Sequence, residues 1–235
     1  MKRAADFRAR ARAALSGNWG EAVVTTLVAS LLGANVLMSG TSSVSGVFSS
    51  NNENYQKMAE DLPPEVMKYV LGFVVAVGSV MTIIGIVRFI VGGFVSLGLI
   101  QYNMNLIDGA EGQFSDLFSK SSLLGKALWL RVRMGIFIFL WTLLLIIPGI
   151  IKYYSYSMSG FIMAENPEID AKEAMTISID MMKGNKWRLF CLGFSFIGWA
   201  LLSLLTMGIG FLFLGPYVNA SYASFYDDIS REYSS

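Results

Sequence analysis

Long apolar runs separated by short polar segments dominate the chain. A hydrocarbon core of about 30 Å needs about 20 helical residues to cross it, so runs near this length predict membrane-spanning helices. Six runs come near it: Ala22–Met38, Phe89–Asn105, Leu128–Ile147, Gly149–Ala164, Trp187–Leu205 and Gly208–Ala223. None of them contains Asp or Glu. The pattern therefore predicts an all-α fold, a polytopic membrane helix bundle with six transmembrane helices.

The basic residues predict how this bundle is oriented. They precede the first run and gather where the third and fifth runs begin: Lys2, Arg3, Arg8, Arg10 and Arg12; Lys120, Lys126, Arg131 and Arg133; Lys183, Lys186 and Arg188. Residues 39–68, in contrast, are rich in Ser, Asn and acidic side chains, as is typical of an outer loop. Because Lys and Arg accumulate on the cytoplasmic side, we expect a bacterial cell (inner) membrane protein with both termini in the cytoplasm.

A seventh apolar run, Tyr69–Val87, is separated from the second only by Arg88. A single helix through both runs would be about 55 Å long, nearly twice the hydrocarbon thickness. Counting Tyr69–Val87 as a separate crossing gives seven spans and moves the basic residues near the third run to the outside. We therefore expect Arg88 at the outer interface and Tyr69–Val87 as an extra helix on or partly in the outer leaflet, with the separate crossing as the alternative.

The six runs also resemble three related hairpin-like units. A Gly and then a Trp precede the first, third and fifth runs, and we expect each Trp to anchor at headgroup level. Trp129 and Trp141 are 12 residues apart, as are Trp187 and Trp199, which aligns the third and fifth runs at an offset of 58. Basic side chains near the ends of spans also reach the interface. The predicted interface anchors are Trp19, Trp129, Trp187, Arg131, Arg133 and Arg188.

Two short segments have the helical period of an amphipathic helix. Residues 1–16 form a basic N-terminal helix, and residues 166–183 form a cytoplasmic helix that begins with Asn166 as its cap and Pro167 in its first turn. The apolar face of the second is Ala171, Ala174, Met175, Ser178, Met181 and Met182. Both helices either lie at the cytoplasmic interface on anionic lipid or connect the spans on the bundle floor. The whole, residues 1–235, is predicted to be a single integral membrane domain.

The composition is typical of a membrane protein and excludes several common catalytic mechanisms. Hydrophobic residues make up 54% of the chain and charged residues 15%, and the mean hydropathy is +0.53. The chain has no His and a single Cys, Cys191, which excludes His-dependent acid–base and metal chemistry and paired-cysteine redox sites. With 18 basic and 17 acidic residues, the net charge of +1 favours no nucleic acid partner. We expect no cofactor, no metal and no enzymatic activity.

Polar residues concentrate in the even-numbered runs, where six are candidates for lining a cavity: Gln101, Asn105, Tyr153, Tyr156, Asn219 and Tyr222. Gln101 and Asn105 are four residues apart, and Asn219 and Tyr222 three, so each pair shares a helix face. One interpretation is a polar cavity of a transporter or channel component. The other is hydrogen bonding between helices that holds the bundle together.

Four stretches resemble a bacterial integral membrane family, the domain of unknown function 975. They begin with ARAALSGNWGEAVVTTL, GQFSDLFSK, FIFLWTLLLIIPGIIKYYSYSM and MMKGNKWRLFCLGFSFIGWALL. The resemblance implies a multi-span inner-membrane protein, distantly similar to the membrane domain of some glycerophosphodiester phosphodiesterases. It implies no established activity and no catalytic residues.

These observations favour a non-enzymatic membrane protein. The expected partners are the lipid bilayer, including anionic lipid, or a membrane protein. A transporter or channel component that uses the even-numbered runs is the alternative. The sequence does not indicate an oligomeric state.

Overall fold

The computed structural model describes residues 2–34, 64–110, 112–144 and 146–234. These residues form helices and turns and contain no strand, so the predicted all-α fold is confirmed at this level. The α-helices are α1 (Ala4–Leu15), α2 (Trp19–Leu31), α3 (Pro64–Ile107), α4 (Leu124–Leu144), α5 (Ile146–Tyr156), α6 (Ser159–Glu165), α7 (Ala171–Met181), α8 (Lys186–Phe194), α9 (Ile197–Leu205) and α10 (Gly210–Ser234). Two short 3₁₀ helices, Phe114–Phe118 and Ser121–Leu123, connect α3 to α4.

The chain divides into two compact units, residues 36–89 and the remainder, and α3 contributes to both. The sequence predicted a boundary at Arg88, but α3 runs through that position without one. No proline follows Pro64 within α3, and its glycines are tolerated in a helix, so nothing in the sequence ends it there. The helix also begins inside the predicted outer loop, residues 39–68, of which residues 39–63 lie outside the described residues.

Helix α1 packs against α10, at the other end of the chain. Phe7, Ala11 and Leu15 are buried at this contact, and the Phe7 ring meets the Phe225 ring edge-on at 5.2 Å between centroids. Edge-to-face geometry at this distance is favourable for aromatic pairs. The apolar face of the N-terminal helix therefore lies against protein and is not presented to lipid.

Helix α7, like α1, packs its apolar face against the rest of the protein. All six residues of the predicted apolar face are buried. The Ser178 hydroxyl donates to the Ser155 carbonyl at 2.8 Å and accepts from the Met158 amide at 3.2 Å, which ties α7 to the turn between α5 and α6. The predicted start at Asn166 was wrong, because the Asn166 amide bonds back to Ile162 and so ends α6, while α7 begins after Asp170.

Two of the glycines that precede the repeated tryptophans end short helices. Gly17 and Gly184 have φ of 92° and 81°, in the left-handed region that glycine enters at least cost. The third, Gly125, lies inside α4, so the three units do not begin alike.

In two helical hairpins, α4–α5 and α9–α10, the helices contact each other closely at a glycine. A Cβ on Gly149 would collide with Thr142, and a Cβ on Gly210 would collide with Ser203, so in each hairpin the helices approach closely at this point. Each of these hydroxyl groups donates to a carbonyl one turn earlier at 2.8 Å and is satisfied within its own helix. The close approach places α4 against α5, and α9 against α10.

Two helical stretches of the described chain are long and apolar enough to cross a membrane, Lys68–Ile107 and Lys186–Leu205. The second includes the break at Ser195-Phe196 between α8 and α9. Trp19–Leu31 is apolar but has 13 residues. By length and composition, six crossings are therefore not confirmed.

We predict that Gly98→Ala destabilises the protein, because its Cβ would meet the carbonyl oxygens of Leu117 and Asp116. Main-chain atoms cannot move aside cheaply, and overpacking of this kind costs about 1–3 kcal/mol. Gly135→Ala is the matched control, since a Cβ there meets nothing within 4 Å and alanine favours a helix. Thermal unfolding in detergent measures both variants, and equal melting temperatures would contradict the prediction.

Candidate functional site

The two predicted cavity residues on α3 form a linear series of side-chain hydrogen bonds that ends at Asp116. The Gln101 amide donates to Asn105 at 2.9 Å, and Asn105 donates to the Asp116 carboxylate at 2.9 Å. Asp116 also accepts from the backbone N–H of Gln113 at 3.1 Å. These contacts fasten the end of α3 to the 3₁₀ helix that follows it. This arrangement favours the interpretation that these residues stabilise the bundle by hydrogen bonding over the interpretation that they line a polar cavity.

The four other candidates lie on α5 and α10. Tyr156 and Tyr222 are buried, with 4% and 7% of their surfaces exposed. The Tyr222 phenol lies near the Tyr153 phenol, so the structure brings these two together, while the Tyr156 ring faces Phe137 with 6.5 Å between centroids. Asn219 is half-buried on α10. Two of these four side chains are therefore buried, and the other two, Tyr153 and Asn219, are partly exposed.

The predicted interface anchors divide into two groups. Trp129 and Trp187 are exposed, at 58% and 70%, whereas Trp19 is half-buried near the Phe213 ring. Arg131 donates to the Gly33 carbonyl at 3.2 Å, and the Arg133 guanidinium lies 6.0 Å from the Phe137 ring centroid.

Arg188 lies inside the protein. Its guanidinium donates to Asp228 at 2.7 Å and to Asn185 at 2.7 Å. It also lies 5.7 Å from the centroids of both the Phe7 and Phe225 rings. Only 11% of the side chain is exposed. A planar guanidinium suits this site, because it can stack on rings and donate in the plane at the same time.

Further ion pairs surround Arg188 and join both ends of the chain. Lys2 reaches Asp228 at 2.7 Å, and Arg10 pairs with Asp227. Arg231 pairs with Asp227 at 2.9 Å from a largely exposed position. We call this group of paired side chains the inner cluster; its members are Lys2, Arg10, Arg188, Asp227, Asp228, Arg231 and Glu232.

Two groups near the inner cluster have shifted pKa values. Partial burial opposes ionisation of Asp228, but hydrogen bonds and charge from Lys2 and Arg188 outweigh it and hold the pKa of the carboxyl below its usual value. Burial, together with a hydrogen bond to Glu165, raises the pKa of Tyr226. The Tyr226 phenol therefore stays protonated and donates to Glu165.

A groove of about 350 Å³ lies between α1, α2, α9 and α10. Trp199, Leu202 and Phe213 line it, with Trp19 and Arg12 at its α1–α2 side. None of the six predicted cavity residues lines this groove. Sequence reasoning missed it because the search followed polar residues, and most of its lining is apolar.

We predict that Arg188→Ala destabilises the protein by about 1.5–3 kcal/mol, because the Asp228 carboxylate loses one of its two charged partners and keeps only Lys2. Arg231→Ala is the control, since the Arg231 side chain is 70% exposed and an i,i+4 ion pair of this kind on a helix contributes about 0.3–0.5 kcal/mol. Thermal unfolding of both variants in one detergent checks the difference. If they melt together, the inner cluster does not hold the structure as described.

We also predict that acid weakens the protein through Asp228. A lowered pKa contributes stability above the ordinary aspartate value of about 3.9, and the contribution is lost as the pH falls through the folded-state pKa. Between about pH 5 and pH 3, the melting temperature should therefore fall more steeply for the unchanged protein than for Asp228→Asn. Parallel curves would show that Asp228 carries no such contribution.

Residues 142–233 match the model of a family described as "Protein of unknown function (DUF975)", as the resemblance predicted. No match was found among curated proteins or solved structures. The similarity to the membrane domain of glycerophosphodiester phosphodiesterases stays a prediction. Residues 142–233 of the chain are therefore similar to the DUF975 family.

Proposed function

We propose that this chain is a non-enzymatic protein of the bacterial cell membrane, which crosses the bilayer six times as three hairpin-like units and binds lipid. Both termini would lie in the cytoplasm. The observation that carries the proposal is the amount of apolar surface that the helices expose on the outside of the protein.

The exposed side chains are large and contiguous along the hairpins. Phe139 and Leu143 on α4 are 66% and 73% exposed, and Leu204, Leu205 and Met207 at the α9–α10 turn are 68%, 80% and 96% exposed. Apolar patches of this kind are costly in water and mark a surface that another apolar phase covers. A bilayer covers all of them at once, so it explains the surface better than a single protein partner.

The distribution of charge supports the same proposal. The enclosed ion pairs belong to the inner cluster, where α1, α8 and the end of α10 meet. The turns at the other ends of the hairpins, LLIIPGII and LLTMGIGF, contain no charged residue. One charged end and one apolar body fit a protein whose charged end faces the cytoplasm.

The polar groups also support a role without catalysis. The carboxylates of Asp227, Asp228 and Glu232 are engaged in ion pairs, and Glu165 accepts from Tyr226. The Gln101–Asn105–Asp116 chain is likewise satisfied within itself. A catalytic or transport site needs polar groups that a substrate can reach, and these are already used by the fold.

Cysteine labelling in a Cys191→Ser background tests the topology. Ser49→Cys should react with a membrane-impermeant maleimide in intact cells, because residues 39–68 are proposed to lie outside. Ser234→Cys should react only after lysis. Labelling of Ser234→Cys in intact cells, or of neither position before lysis, would overturn the proposed orientation.

A further inference from the structure

We propose that the groove between α1, α2, α9 and α10 holds one anionic phospholipid, with its phosphate on Arg8 and Arg12 and an acyl chain along Trp199, Leu202 and Phe213. The inference rests on the proposed function and names the lipid class and the place where it binds.

Arg8 and Arg12 are four residues apart on α1 and so share one helix face. Both lie near the phenol of Tyr217, and Arg12 and Tyr217 also line the groove. Within the described residues, neither arginine makes an ion pair, and the Arg8 Nε is buried without a hydrogen-bond partner. Two neighbouring guanidinium groups on one helix face, without an acidic partner among the described residues, are complementary to a phosphate.

Arg10 shows what the helix does with an arginine that serves the fold. It lies two residues from both Arg8 and Arg12, on the other side of α1, and it pairs with Asp227 in the inner cluster. Structural pairing is thus completed on one face of α1. On the face that carries Arg8 and Arg12, neither guanidinium group pairs with an acidic side chain of the described residues.

The groove itself offers an apolar surface to a ligand. The Ser203 hydroxyl donates to the Trp199 carbonyl at 2.8 Å, and the Thr206 hydroxyl donates to the Ser203 carbonyl at 2.8 Å. Thr206 also accepts from the Gly210 amide at 3.0 Å. With these hydroxyl groups already bonded, the groove matches a ligand with one anionic end and an apolar body.

The shape of the groove favours a membrane lipid over a soluble amphiphile. Trp199, Leu202 and Phe213 are 45%, 55% and 52% exposed, so the groove is open along the side that the proposal places in the bilayer. From Gly210 to Tyr217, α10 rises about 10 Å, enough to support part of one acyl chain. The cytoplasmic leaflet also supplies anionic headgroups beside α1.

Native mass spectrometry of the full-length protein tests the proposal, with dioleoyl phosphatidylglycerol and dioleoyl phosphatidylcholine offered at equal concentration in detergent. The expected result is at least a tenfold preference for the anionic lipid. The double variant Arg8→Gln/Arg12→Gln should lose that preference. Arg231→Gln is the matched control, because it removes an exposed arginine of the inner cluster and should keep the preference.

Single variants test the phosphate contact and the acyl-chain contact separately. Arg12→Gln alone removes an exposed side chain and should lower the preference at least threefold, so the test does not depend on folding of the double variant. Leu202→Gln should lower retention of the lipid at least threefold through the acyl chain. Glycerol phosphate at the same concentration should not compete, and full competition would overturn the role of the groove.

Equal retention of the two lipids by the unchanged protein would overturn the inference. So would an undiminished preference in both arginine variants. In either case a protein that remains in the membrane leaves the proposed function standing. Recovery of the protein in the soluble fraction would instead overturn the proposed function itself.

Discussion

The exposed apolar surface of α4, α9 and α10 is the constraint that the rest of the structure must satisfy. Side chains such as Leu143 and Leu205 cannot turn inward, because the close approaches at Gly149 and Gly210 already fill the space between the helices of each hairpin. In our account the bilayer covers this surface. The charged groups then have to be paired away from the lipid, and the inner cluster does this by joining α1, α8 and the end of α10.

The two amphipathic helices meet this constraint in a way that a helical wheel does not show. Phe7 on α1 and Met175 on α7 are buried against neighbouring helices, so their apolar faces stabilise the charged end of the protein. The polar residues of the even-numbered runs act similarly, as Gln101 and Asn105 hold the end of α3. Arg8 and Arg12 differ, since neither makes an ion pair with any residue that the structure describes, and they therefore carry the proposed link to lipid.

The sequence predicted what depends on local pattern. All-helical structure, the residues of the α7 apolar face and the family of residues 142–233 follow from periodicity and resemblance. It did not predict what depends on contacts between distant residues. Arg188 was expected at the interface because it lies at the start of the fifth run, yet its partners Phe7 and Phe225 come from the two ends of the chain. Likewise, the groove joins residues of α1 and α9 that no local pattern connects.

Fractionation of cells that express the full-length chain tests the central claim most directly. Membranes are washed with alkaline carbonate and then with urea, which release peripheral proteins but leave integral ones in the pellet. The account predicts that the protein stays in the pellet and enters solution only with detergent. A folded, monodisperse protein in the supernatant without detergent would contradict it, because the apolar faces of α4 and α9 would then be stable in water.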